Sequence, residues 1–147
     1  MTVMRPTGSC RCGAVQYELA VGDVPPVYCC HCLDCQRWSG SAFSEQAVIL
    51  EGTISATGPL IETIVTSRQG AVSLQFVCGA CHSRIYSKNP KRPGIMLLRA
   101  GTLDQAPSIQ PRAHIWVKRM QSWLVLPSGT AAFQEGASPE EFRGALK

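Results

Sequence analysis

The sequence predicts a mainly β domain with a short C-terminal helix. Two segments alternate apolar and polar residues with the period of two that a half-buried strand shows, Val15–Val21 and Val72–Phe76. Turn-forming glycines and prolines separate these segments from further β-rich runs, which are Phe43–Leu50, Leu60–Thr66, Ile95–Leu98 and Ala113–Val117. Because the chain has 147 residues and shows no internal repeat or linker, we expect one domain over residues 1–147.

The predicted helix lies at the C-terminal end. Ser138 is a good N-cap residue, Pro139 suits the first helical turn, and Glu141 completes the pattern of a capping box. Leu33–Ser39 is a second, shorter segment that we expect to form about one turn of helix.

Composition narrows the class of protein. With 45% hydrophobic and 16% charged residues the chain is not expected to be disordered. No apolar stretch approaches the roughly 20 residues that cross a bilayer, and the first residues lack a secretory signal, so we expect a cytoplasmic protein without membrane contact. The formal charge of +4 comes from scattered lysines and arginines, and ionised thiols would reduce it, so nucleic-acid binding is not expected.

Eight cysteines fall into three groups along the chain. Without a secretory signal, such clusters indicate metal ligands or catalytic thiols before disulfides. Cys78 and Cys81 form a CxxC pair in which Gly79 eases the turn, and Cys10 and Cys12 supply a second pair between Gly8 and Gly13. Together these four sulfurs predict a closed structural zinc site. Free buried cysteines or a redox-active CxxC are the alternatives.

The middle group predicts a different kind of site. In an extended segment Cys30 and Cys32 point to one face and Cys29 to the other, and a turn would bring Cys35 round to join them. Three thiolates with an open fourth position are typical of catalytic zinc. His31 is an alternative fourth ligand, although it should point away from its neighbours.

Two further alternatives apply to the middle group. Cys29, Cys32 and Cys35 have the spacing of an iron–sulfur run, but the expected fourth cysteine and the following proline are missing. A redox-active set of thiols also remains open.

Taken together, these motifs resemble a known family. The segments Gly8–Val15, Cys30–Phe43 and Phe76–Cys81, followed by Gly101–Asp104 and His114–Trp116, are similar to the glutathione-dependent formaldehyde-activating enzyme family, which includes centromere protein V. The similarity extends from about Gly8 to Trp123.

The resemblance implies a β-tent, in which twisted antiparallel sheets are organised around zinc. It implies two zinc ions per chain, a structural ion held by Cys10, Cys12, Cys78 and Cys81 and a catalytic ion held by Cys30, Cys32 and Cys35. Cys29 matches no ligand position. The implied activity is that of a carbon–sulfur lyase, which reversibly condenses glutathione with formaldehyde to give S-hydroxymethylglutathione.

Other functions stay open at this point. A non-catalytic zinc module that binds a thiol or a protein partner is the main alternative. A type B methionine sulfoxide reductase, whose fold is similar, is disfavoured because no cysteine follows Cys81. Glutathione carries two carboxylates, and the arginines nearest the cysteine motifs are Arg11, Arg37 and Arg84. Arginines at such positions are more often surface or structural residues than ligand contacts. The oligomeric state is not predicted.

Overall fold

The computed structural model describes residues 4–147, which form eleven strands and two α-helices. The strands are β1 (Thr7–Ser9), β2 (Gln16–Leu19), β3 (Val27–Cys30), β4 (Ser44–Leu50), β5 (Ile54–Thr57), β6 (Leu60–Thr66), β7 (Val72–Cys78), β8 (Arg84–Lys88), β9 (Ile95–Arg99), β10 (Ala113–Ile115) and β11 (Ala131–Ala132). The helices are α1 (Leu33–Ser39) and α2 (Pro139–Ala145). The prediction of a mainly β fold with a short C-terminal helix is confirmed. Among these residues, no helix is long and apolar enough to span a membrane.

The described chain divides into two compact units, and β4 runs across the boundary between them. The first unit consists of the residues up to Pro25 together with Ala47–Ile109. One of its sheets has the antiparallel order β1-β2-β5, and the other contains the antiparallel series β9-β8-β7-β6. The expectation of a single domain over residues 1–147 stays a prediction.

The core of the first unit follows the alternation along β2. Val15, Tyr17 and Leu19 are buried, whereas the intervening Gln16 and Glu18 are exposed. Side chains of the other sheet complete the core, chiefly Ile85, Met96 and Leu98, which are almost inaccessible to solvent. Full burial of each large apolar side chain stabilises the fold by roughly 1.5–3 kcal/mol. The period of two therefore predicted both the strand and its buried face.

On β7 the alternation predicts the strand but not the buried face. Gln75 and Val77 are buried, whereas Val72 is exposed and Phe76 is half-buried. Phe76 stacks instead on Tyr86 of β8, with the ring centroids 4.3 Å apart. Both faces of this strand are thus partly covered, and the aromatic pair protects the outer one.

The second unit consists of Pro26–Gln46 and Gln110–Lys147. Its strands β3 and β11 both pair in parallel with the central β10, so the sheets of the protein are mixed rather than purely antiparallel. The ring of Phe142 on α2 meets Tyr28 on β3 edge-on at 4.7 Å. The capping box predicted at the start of α2 is present, since the Ser138 hydroxyl accepts from the backbone N–H of Glu141 and the Glu141 carboxylate accepts from that of Ser138.

Local sequence patterns predict some of the other elements and not the rest. The predicted bounds of α1 and β6 are confirmed, whereas β1, β3, β5, β8 and β11 have no clear period of their own. The run predicted over Ala113–Val117 stops at Ile115, because Trp116 adopts the left-handed conformation with φ of 58°. A short 3-10 turn, Val117–Arg119, then replaces the end of the predicted strand.

Candidate metal centres

Four cysteines of the first unit bring their sulfurs together. The Sγ atoms of Cys10, Cys12, Cys78 and Cys81 all lie within 4.8 Å of one another. The Cys10–Cys12 sulfur distance is 3.6 Å and the Cys12–Cys78 distance is 3.9 Å. Metal–sulfur bonds of about 2.3 Å in a regular tetrahedron require sulfur–sulfur edges of about 3.8 Å. The four sulfurs therefore have the spacing that a tetrahedral thiolate site needs, and they could hold a metal ion.

Tight backbone turns direct these sulfurs inward. After Cys10 the chain reverses through Gly13, whose φ of 79° is a conformation that glycine adopts without strain. In the other turn a side chain at Gly79 would place its Cβ only 3.0 Å from the carbonyl oxygen of Pro59. A larger residue at position 79 would therefore need the Pro59 backbone to shift by a few tenths of an ångström. The left-handed residue of the turn is His82, with φ of 63°.

Backbone and serine hydrogen bonds reach several sulfurs of this cluster. Backbone N–H groups of Val15, Ala80 and Cys81 point at the sulfurs of Cys10 or Cys78 at distances of 3.3–3.5 Å. The Ser83 hydroxyl lies 3.1 Å from the Cys81 sulfur and accepts from the backbone N–H of Arg11. Hydrogen bonding from Ser83 is the largest influence that lowers the pKa of Cys81 to about 5. Ser83, which the sequence analysis missed, therefore joins the two cysteine turns.

Three cysteines of the second unit form another cluster. Cys30 ends β3, Cys32 is the N-cap residue of α1, and Cys35 lies in the first turn of α1. Their Sγ atoms also lie within 4.8 Å of one another, and within residues 4–147 no fourth ligand joins the group. The Cys32 sulfur accepts a hydrogen bond from the backbone N–H of Cys35 at 3.3 Å. This cluster too could hold a metal ion, with one coordination position left over.

Protons are shared unequally among these three thiols. Hydrogen bonding from Cys30 and then from Cys35 lowers the pKa of Cys32 well below that of an ordinary thiol. The same hydrogen bond to Cys32, with burial adding to it, raises the pKa of Cys30. A cluster that already stabilises one thiolate is suited to a cation, because metal ligands must be deprotonated.

Cys29 stands apart from both clusters. Its side chain is completely buried, and burial raises the pKa of its thiol to about 12. The iron–sulfur alternative needs Cys29 together with Cys32 and Cys35, whereas the structure groups Cys30 with those two residues. None of the eight cysteines forms a disulfide within residues 4–147.

His31 is held away from the sulfurs by three hydrogen bonds. Its Nε2 lies 2.9 Å from Nδ1 of His114, its backbone N–H donates to the carbonyl of Ile115, and its own carbonyl accepts from the Gln36 side chain. The imidazole is completely buried, and this burial, with the charge of His114 adding to it, lowers the pKa of His31 to about 4. His31 is therefore a neutral buried histidine that fixes the backbone between Cys30 and Cys32.

Gln36 is a second residue that the sequence analysis missed. Its side-chain amide donates to the carbonyls of both His31 and Arg119, which fastens α1 to the segment after β10. No local pattern distinguishes this glutamine, because its partner Arg119 lies 83 residues away.

The arginines near the cysteine motifs, and the aromatic and histidine side chains beside those motifs, are distributed over both units. On α1, Arg37 is exposed and Trp38 retains 42% of its accessible surface, while the Phe43 ring packs 5.2 Å from the His31 ring. Arg11 and His82 are exposed in the first unit. Arg84 is half-buried there.

Comparison with known proteins follows the cysteine motifs. Residues 5–119 match the profile of a family described as glutathione-dependent formaldehyde-activating enzyme. The chain belongs to this family. The described fold is also similar to the crystal structure of a Rhodobacter sphaeroides protein, with 16% identity and a TM-score of 0.52 over 86% of this chain and 98% of that chain. At this identity the likeness concerns the fold alone, and no curated protein matches the sequence.

In this member of the formaldehyde-activating family, the chain beyond residue 119 completes the second unit. Phe133 donates its backbone N–H to the carbonyl of His114, and Trp116 donates to the carbonyl of Glu135. The matched segment contains both cysteine clusters, whereas β11 and α2 lie beyond it.

Proposed function

We propose that this protein is a zinc-dependent carbon–sulfur lyase that reversibly condenses glutathione with formaldehyde to S-hydroxymethylglutathione. In this proposal Cys10, Cys12, Cys78 and Cys81 hold a structural zinc ion, and Cys30, Cys32 and Cys35 hold a catalytic one. The observation that carries the proposal is the contrast between a four-sulfur cluster and a three-sulfur cluster in one chain of this family. A closed tetrahedral site suits structure, whereas three protein ligands leave room for a substrate atom.

The donor set suits a thiol substrate. Three thiolates around a divalent ion leave a net charge near −1, which favours a soft fourth ligand such as sulfur. Zinc, when bound, would supply a positive centre that keeps the glutathione sulfur deprotonated at neutral pH. The protein's own share is placement, because Cys32 is fixed by the N–H of Cys35 and its neighbour His31 by three partners.

The condensation conserves atoms and electrons without a further reactant. A sulfur–carbon bond forms between glutathione and formaldehyde while the carbonyl π bond breaks, and the electron pair goes to the formaldehyde oxygen. The proton released by the thiol ends on that oxygen as the hydroxyl of the product. In the reverse direction the hydroxyl loses its proton and the carbon–sulfur bond breaks.

Two variants at neighbouring cysteines test the proposal. Zinc content per chain is measured on Cys32→Ala, on Cys29→Ala and on the natural protein, and glutathione is then titrated by calorimetry. Exchange between free and formaldehyde-bound glutathione is followed by NMR. We expect two zinc ions in the natural protein and in Cys29→Ala, and one in Cys32→Ala with neither glutathione binding nor accelerated exchange.

Each outcome discriminates between functions. Glutathione binding that survives in Cys32→Ala would refute the role of the three-sulfur cluster. Two zinc ions with glutathione bound but no acceleration of exchange would favour the non-catalytic thiol-binding module. One tightly bound zinc ion per chain that glutathione does not perturb would indicate that Cys30, Cys32 and Cys35 are redox-active thiols rather than zinc ligands.

A further inference from the structure

Strand β6 forms an open edge of its sheet. It pairs with β7 through seven regular residue pairs, from Leu60 opposite Cys78 to Thr66 opposite Val72, and among residues 4–147 no strand lies on its other side. Ile61 and Ile64 retain 47% and 69% of their accessible surface. The strand contains no proline, lysine or bulge, the features that usually protect a sheet edge from pairing.

The hydrogen bonds at both ends of the hairpin show which backbone groups are available. The Ser67 N–H donates to the Ala71 carbonyl, and at the other end the Gly79 N–H donates to the Pro59 carbonyl. Antiparallel ladders alternate between hydrogen-bonded and non-hydrogen-bonded pairs. The odd-numbered residues of β6 therefore bond to β7. Both backbone groups of Glu62, Ile64 and Thr66 point outward. At Leu60 only the carbonyl is available, because the Leu60 N–H donates to the carbonyl of Gly58.

We propose that a second copy of this chain adds to this edge, with the two β6 strands antiparallel about a two-fold axis at Thr63. In this register Leu60 faces Thr66 of the second copy and Glu62 faces its Ile64. Glu62 and Ile64 pair through both backbone groups in this register, whereas the pair of Leu60 and Thr66 forms through the Leu60 carbonyl and the Thr66 N–H alone. The register provides about six hydrogen bonds, within the range of roughly 5–15 of a typical protein interface.

The side chains are complementary in the same register. Ile61 lies opposite Val65 of the second copy, and the two Thr63 side chains meet at the axis, in positions where cross-strand side chains are closest. The single charge of the strand, Glu62, faces an isoleucine rather than its own copy. A two-fold axis at Glu62 would instead oppose two carboxylates. In the register about Thr63 the strand therefore pairs with a second copy of itself without opposing like charges.

Opposite charges at Ile64 test this register. Ile64→Glu would place a carboxylate against Glu62 of the second copy, whereas Ile64→Lys would place an ammonium group there. In both variants the replaced side chain is exposed in the single chain, so thermal unfolding of the dilute proteins should be similar. The mass in solution is measured by sedimentation over a dilution series, where the single chain is 15.9 kDa.

We expect the natural protein to sediment at twice that mass at high concentration. Ile64→Glu should weaken association by at least tenfold, and Ile64→Lys should preserve or strengthen it. Amide exchange should show that the N–H groups of Glu62, Ile64 and Thr66 become protected as concentration rises. A natural protein that remains monomeric would overturn the proposal and leave the edge to another protein. Equal loss of association in both variants would also overturn it, because that result indicates non-specific apolar contact.

Discussion

The hydrogen bond between His31 and His114 offers a sharp test of how the fold supports the three-cysteine cluster. Nδ1 of His31 is buried without a hydrogen-bond partner in the described chain. A bare ring nitrogen tolerates this position better than an unpaired N–H does. We therefore place the proton on Nε2 of His31, from which it is donated to Nδ1 of His114 at 2.9 Å.

The magnitude follows from burial. His31 is fully buried and His114 is 6% exposed, so neither ring can replace its partner with bulk water. His114→Phe leaves the His31 N–H without an acceptor, which costs about 1–3 kcal/mol of unfolding free energy. His31→Phe leaves the acceptor of His114 unpaired and should destabilise the fold in the same way. In the double variant both polar partners are gone, so the total should be smaller than the sum by about 1–3 kcal/mol.

The assay is a double-mutant cycle measured by denaturant unfolding with zinc in excess. If Cys30, Cys32 and Cys35 hold zinc as proposed, zinc content should fall from two ions towards one in each single variant, since the backbone between two ligands loses an anchor. Cys29→Ala, which alters a completely buried residue two positions before His31, is the control. Effects of the two histidine substitutions that add within about 0.5 kcal/mol would refute the coupling. Unchanged zinc content would refute the positioning role.

Three further predictions concern single residues. Burial raises the pKa of Tyr17 to about 12 against an opposing hydrogen bond from Thr102. As the pH rises, the unfolded chain loses this proton before the folded chain does, so the free energy of unfolding should decrease between pH 10 and 12. Measured over the same pH range, Tyr17→Phe should not show this decrease. Ser138→Ala should cost about 1 kcal/mol of stability through the lost N-cap of α2, whereas Ser128→Ala in an exposed turn should not change the melting temperature. His82 is exposed and has a φ of 63°. In thermal melts His82→Val should therefore be destabilised by about 1 kcal/mol or more, whereas His82→Gly should keep the stability of the natural protein. Equal effects of the two substitutions would show that the backbone conformation is not the cause.

Local patterns predicted those parts of the fold whose cause is local. The capping box at Ser138 and the buried alternation along β2 follow from neighbouring residues, and both are present. The very short strands β1 and β11 carry too few residues to show a period, so only their pairing defines them. The left-handed Trp116 that ends β10 is also invisible in sequence, because tryptophan has no preference for that conformation.

In the cysteine clusters, too, some features have local causes that the sequence shows. The sequence by itself predicted that two pairs, Cys10 with Cys12 and Cys78 with Cys81, should converge. A tetrahedral structural site has four ligands, and each close-spaced pair supplies only two of them. It also separated Cys29 from Cys30 through the two-residue alternation of an extended chain.

Only the tertiary structure decided which residues support those sulfurs and which surface stays open. His31 finds His114 from 83 residues away, and Ser83 reaches the N–H of Arg11 from 72 residues away. The exposure of Ile61 and Ile64 likewise follows from the place of β6 at the end of a sheet. Contacts between distant segments depend on how the whole chain packs, and no local preference of the residues themselves encodes that packing.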